Sequence, residues 1–180
     1  SDNLAILGTA AALGRRGKHI VTSQIEHPAV LEACKKLEQQ GFLVDYLPVD
    51  RWGTVSAADF AGAVTDKTIL ISLMHVNNEV GTVQPISEIN GKKGEALMHV
   101  DAVQSFGKLP LTAGIADLIS LSGHKIHGPK GVGALYMSRQ ARIIPKMVGG
   151  GQENGLRSGT ENVPAIAGFG LAAEIAIATL

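Results

Sequence analysis

Polar residues gather directly behind apolar runs at four places in the chain. Gln24-Ile25-Glu26-His27 follows HIVTS (19–23), and Asn77-Asn78-Glu79 follows ILISLMHV (69–76). Asp101 follows ALMHV (96–100), with Gln104 three residues on. Ser122, Gly123, His124 and Lys125 close DLISLS (117–122) and lead into HGPKGVG. Each has an ordinary reading when taken singly. Lys125 would be a solvated lysine in a Gly-rich turn, Asp101 a helix cap, His27 the first residue of a helix and Asn78 a turn former. Cys34 sits on an apolar helix face and reads as a core thiol, not a nucleophile.

Taken together, these types suit one chemistry. A lysine supplies the amine of a Schiff base. A carboxylate opposite a ring nitrogen keeps that nitrogen protonated, so that the ring works as an electron sink. An imidazole can stack on a planar ring. Serine, histidine and the backbone N–H groups of a Gly-rich turn can hold a phosphate. Pyridoxal 5'-phosphate requires this set.

The residues can meet only if the elements before them end on one side. Leu4, Leu7, Ala11 and Ala12 have helical spacing over 3–13, with Gly14 and Gly17 at the end. HIVTS reads as a strand. Pro28 suits a first helical position, and Val30, Ala33, Cys34 and Leu37 follow at i, i+3, i+4, i+7 until Gly41. Residues 42–47 read as a strand, and Ser56 with Asp59 caps a helix over 57–66. The runs 69–76, 96–100, 117–122 and 133–138 show little alternation, as expected of strands covered on both faces. The stretch 161–180 reads as a helix. Strands separated by helices predict an α/β fold: three layers, a mainly parallel sheet and helices on both faces. Ligands of such sheets bind beyond the carboxyl ends of the strands.

Composition narrows the classes further. The 180 residues carry 16 Lys+Arg and 16 Asp+Glu, a net charge of zero that argues against a broad grip on nucleic acid or an anionic membrane. Aromatics at 4% are too few for base-stacking platforms. Hydrophobic residues at 45% imply a packed core, and a single cysteine excludes an internal disulfide and points to a reducing compartment. No apolar run approaches the roughly 20 residues of a membrane span. His75, His99, His124 and His127 lack zinc-ligand spacing, so no metal site is assigned. GPKGVG lacks the GxxxxGK[ST] of a nucleotide loop.

HVDAVQSFGKLPL and DLISLSGHKIHGPKGVGALY, with TSQIEHPAVLEAC, SLMHVNNEVGTVQPI and GGGQENGLRSGTENVPAI in order, strongly resemble class V aminotransferase-fold enzymes. Among these the chain is most similar to cysteine desulfurases of the NifS and IscS type. The resemblance implies pyridoxal 5'-phosphate as cofactor and assigns roles. Lys125 forms the Schiff base and moves protons at the substrate α-carbon. Asp101 pairs with the pyridine nitrogen. Gln104 and Asn78 lie near the ring hydroxyl, Asn78 also near the substrate carboxylate. His27 stacks on the ring and acts as acid or base. Ser122 and His124 hold the phosphate. Thr160, in RSGT, reaches the phosphate of a neighbouring subunit, which implies a homodimer. The implied reaction converts L-cysteine to L-alanine and an enzyme persulfide. The sulfur would pass to an acceptor such as an iron–sulfur scaffold or to tRNA thiolation, in the cytoplasm.

Measured against that family, a Gly-Ala-Thr-Glu turn is expected just before Ser1, and a small C-terminal domain with the persulfide cysteine and a carboxylate-binding arginine is absent. The expectation is therefore a single cofactor-binding large domain over 1–180, truncated at both ends and without turnover of its own. Another class V enzyme, such as a selenocysteine lyase or aminotransferase, and a non-catalytic dimerisation or docking module remain open on the sequence.

Overall fold

A computed structural model describes residues 1–180. The elements run α1 (Asp2–Leu13), β1 (His19–Ser23), α2 (Pro28–Glu38), β2 (Leu43–Leu47), α3 (Ala57–Ala63), β3 (Thr68–Met74), α4 (Ile86–Asn90), β4 (Leu97–Asp101), β5 (Leu118–Ser122), β6 (Gly133–Met137) and α5 (Val163–Ala178). The six strands form one sheet in the order β2-β1-β3-β4-β5-β6. All pairings are parallel except β5 with β6, which is antiparallel.

The sheet has a core on each face, which gives the expected three layers. On one side Ile20, Leu70, Leu97 and Leu118 meet Ala5, Ile6, Val30, Ala33, Cys34 and Leu37 of α1 and α2. On the other, Val21, Ile71, Met98 and Ile119 meet Phe60 of α3 and Ile86 and Ile89 of α4. Neighbouring strand residues thus serve opposite faces, so a one-residue slip in register would exchange the two cores. Continuous burial of β1, β3 and β4 explains their unbroken apolar runs. The edge strands β2 and β6 are partly exposed.

Local chemistry sets the ends of these elements. Ser56 accepts a hydrogen bond from Asp59 N and starts α3, as expected. This helix stops at Ala63, three residues short of the expectation. Val64 turns to extended backbone, and Thr65 N donates to Thr68 Oγ instead of continuing the helix. β3 ends at Met74, two residues early: His75 N still donates to Asp101 O of β4, but its carbonyl accepts from Gln84 N and Val76 bridges to Val83. The short helix α4 carries no signal in the sequence long enough to expose it.

α5 stands apart from the sheet. It packs on the turn after β5 through Phe169, whose ring meets Phe106 edge-on at 6.1 Å. Val163, Ile166, Leu171, Ile175 and Ile177 remain exposed along it. No helix is long and apolar enough to cross a membrane.

Gly17 tests the packing between α1 and the sheet. A Cβ there would overlap the Lys67 carbonyl, a backbone atom with no freedom to rotate away. Gly17→Ala is expected to cost about 2–4 kcal/mol, as overpacking against fixed backbone does. A shift of the urea unfolding midpoint with unchanged slope checks this.

Candidate functional site

The strand tips of β1, β3, β4 and β5 are consecutive in the sheet and point the same way. Seven of the eight candidate residues lie at or just behind these four tips.

Behind β1, the turn Gln24–His27 leads into Pro28 at the first position of α2. His27 caps that helix: its Nδ1 accepts from Ala29 N at 3.1 Å. The neutral ring therefore carries its proton on Nε2, and the ring itself is exposed. Glu26, beside it, is buried. Its Oε1 accepts from Ser23 Oγ at 2.6 Å and from Met74 N at 3.1 Å. Burial first, and then the nearby charges of Asp101 and Asp2, push its pKa up to about 8.

Behind β3, Asn77 does the structural work and leaves Asn78 exposed without a partner. Asn77 Nδ2 donates to Ile25 O at 3.1 Å, and Asn77 Oδ1 accepts from Glu79 N and Val80 N, each at 2.9 Å. This residue fixes the Asn78 turn against the His27 turn. His75 is also held: its Nδ1 lies 3.0 Å from Ser105 Oγ, which donates to Ala102 O.

At the end of β4, Asp101 is 7% exposed, and its Oδ1 accepts from Val103 N at 2.9 Å. No protein donor reaches its other oxygen. Burial, and then the charge of Asp2, push its pKa up to about 7. Gln104 follows, half-buried, with its amide free of protein hydrogen bonds.

Behind β5, one 3-10 turn (Gly123–Ile126) carries His124 and Lys125. Ser122 Oγ lies 2.7 Å from His124 Nδ1, so the two expected phosphate contacts are already a pair. Lys125 is half-buried and its amine makes no hydrogen bond. Together with Gly107, Lys108, His127 and α5 it lines a cavity of about 350 Å³. None of the other candidate residues lines that cavity. Thr160, the eighth candidate, is exposed just ahead of α5 and has no hydrogen bond to the strand tips.

Beneath the tips, His99 is buried in the sheet. Its Nδ1 lies 2.8 Å from Ser72 Oγ on β3, and its Nε2 lies 2.9 Å from Ser120 Oγ on β5. Burial holds its pKa down to about 4, so the ring is neutral. Asp2 Oδ1 stands 3.7 Å from Nε2, buried and without a hydrogen bond. The sequence assigns Glu26, Asn77 and His99 no role because each works one or two positions away from the residues that carry recognisable chemistry. The spacing Ser23-x-x-Glu26 and the i, i+2 pair His99–Asp101 are the signals that mark them. Cys34 is buried, as the sequence suggests, with its thiol pushed up to about 12 by burial and by the charges of Glu26 and Glu38.

The aminotransferase class-V family profile matches residues 1–179. The chain belongs to that family. Within it, the chain is 52% identical over 182 residues to cysteine desulfurase IscS of Dictyoglomus turgidum, covering 98% of this chain and 46% of that protein. It is 52% identical over 184 residues to cysteine desulfurase IscS of Methanosarcina thermophila, covering 100% and 46%. Among solved structures, a NifS-like protein superposes with a TM-score of 0.95 at 46% identity, covering 99% of this chain and 50% of that one. SspA in complex with cysteine gives 0.92 at 46% identity, covering 97% and 52%. This class-V chain thus spans about half the length of the relatives it matches.

Proposed function

We propose that residues 1–180 are the cofactor-binding large domain of a cysteine desulfurase that uses pyridoxal 5'-phosphate. One observation carries the reading: four adjacent parallel strands present His27, Asn78, Asp101 with Gln104, and Ser122, His124 and Lys125 at a common edge. The residues fit the group. The free oxygen of buried Asp101 lacks a donor, and burial with the charge of Asp2 raises its pKa; a protonated pyridine nitrogen supplies both a donor and a positive charge. The unbonded amine of Lys125 suits covalent attachment, and the Ser122–His124 pair suits a phosphate.

When bound, pyridoxal 5'-phosphate supplies an aldehyde that captures amino groups and a ring that accepts the electron pair left on the substrate α-carbon. The chain does the rest. Asp101 keeps the proton on the ring nitrogen. Lys125 Nζ takes and returns the proton at the α-carbon of L-cysteine. His27 covers the ring face and offers its Nε2–H. Gln104 and Asn78 hold the ring oxygen, Asn78 also the substrate carboxylate, and Ser122 and His124 hold the phosphate. Thr160 is assigned to the phosphate of a second copy, which makes the working form a homodimer. The sulfur acceptor is not Cys34, because a buried thiol of raised pKa yields no thiolate near neutral pH. These 180 residues therefore bind cofactor without turning over L-cysteine alone. In the larger reaction sulfur passes to an acceptor protein such as an iron–sulfur scaffold, in the cytoplasm. No observation here favours a selenocysteine lyase, an aminotransferase or a docking module over this reading.

Titration with pyridoxal 5'-phosphate, followed by visible absorbance, tests the proposal. Saturable binding at one site per chain is expected, with no release of alanine from L-cysteine. No saturable binding would sink the cofactor assignment. Alanine release would sink the account of Cys34.

A further inference from the structure

Glu26 is the one buried acid at the strand tips that the proposed function leaves without a task. It is 4% exposed, and both hydrogen bonds it accepts converge on Oε1. Its Oε2 is buried and has no partner. The groups facing it are Ser23 on β1, Met74 N on β3, Asp2 on α1, Cys34 on α2 and Asp101 on β4. None is a cation, and the ion pairs of the molecule all involve other acids.

A carboxylate in this place would be a buried charge with two acidic neighbours and one wholly unsolvated oxygen. That arrangement is costly unless the group takes up a proton. Oε1 is occupied as a double acceptor, which leaves Oε2 to carry the proton. The two accepted bonds join two neighbouring strands. Ser23 ends β1 and Met74 ends β3, and the next residue after Glu26 is His27. The His27 ring is thus fixed on one side by the Glu26 clamp and on the other by its cap bond to Ala29 N.

We propose that Glu26 is an uncharged positioning residue: it clamps the His27 turn to the end of β3 through Oε1 and carries its proton on Oε2. Its neutrality leaves Asp101 free to be the single negative charge facing a ring nitrogen. The inference rests on the proposed function only for the use to which His27 is put.

Infrared spectra and nuclear magnetic resonance of the cofactor-free protein test it. The carbonyl stretch of protonated carboxylic acids is expected in the wild type in two steps, one lost near pH 7 with Asp101 and one lost near pH 8 with Glu26. Glu26→Gln is expected to fold, to lack the step near pH 8 and to keep the His27 ring resonances in place, since a neutral amide reproduces both the acceptor and the donor. Glu26→Ala is expected to move those resonances and to weaken pyridoxal 5'-phosphate binding about tenfold, because both bonds of the clamp are lost and the His27 turn is no longer held. The proposal is overturned if Glu26→Gln leaves the carbonyl steps unchanged. It is equally overturned if Glu26→Gln unfolds the protein or disturbs His27 as much as Glu26→Ala. Band and resonances are read without cofactor, so they stand apart from a failure of the cofactor to bind.

Discussion

Lys125→Ala is expected to abolish covalent capture of pyridoxal 5'-phosphate. Borohydride treatment of the loaded wild type should fix the cofactor to one lysine, Lys125, and the variant should carry no label at all. The chain has many lysines, yet the structure separates this one. Lys35, Lys67, Lys92 and Lys93 are engaged with carboxylates, whereas Lys125 is half-buried beside a cavity with its amine unbonded. The turn that carries it begins at the tip of β5, next in the sheet to the strand that ends in Asp101. Folding should be little affected, because no hydrogen bond depends on Nζ. Peptide mass mapping of the reduced adduct checks the site. Label on Lys108 or on any other lysine would remove Lys125 from the role.

Asp101→Asn is expected to move stability and cofactor affinity in opposite directions. The folded protein binds the Asp101 proton more tightly than the unfolded chain, since the pKa rises from 3.8 to about 7. Stability from this group is therefore present below 3.8 and lost as pH rises to about 7. Asparagine keeps the bond from Val103 N and carries no charge to bury. Without cofactor, the variant should exceed the wild type at about pH 8 by on the order of 2–4 kcal/mol, and match it in acid. With cofactor the sign reverses. A charge-assisted bond to a ring nitrogen is lost, and binding should weaken by roughly ten- to a hundredfold. Urea unfolding at the two pH values and an absorbance titration measure both effects. A variant less stable than wild type in mild alkali would show that the Asp101 charge is already compensated within the protein.

The sheet was legible because its strands are covered on both faces. HIVTS and DLISLS stand out as apolar runs without alternation, and their ends in the structure lie within a residue of the expected ones. The shortened α3 and β3 were not legible, because both stop for reasons outside their own pattern. Thr68 captures the Thr65 amide, and the Asn77 side chain holds the turn behind β3. At the site, Lys125, Asp101 and His27 were legible as types that do chemistry at strand ends. Glu26 and His99 were not. A side chain that acts by holding two backbone segments together reveals itself only when those segments, 48 residues apart for Glu26 and Met74, are seen side by side.

The imidazole of His99 has a mechanical consequence. Ser72, His99 and Ser120 stand on three successive strands, and one ring bolts all three through its two nitrogens. Sliding any one strand along its neighbour would break that bolt as well as the ladder. The three tips that end in Met74, Asp101 and Ser122 are thereby a single rigid plate. Whatever settles on that plate meets groups whose spacing is set before it arrives, and the cost of arranging them is borne during folding.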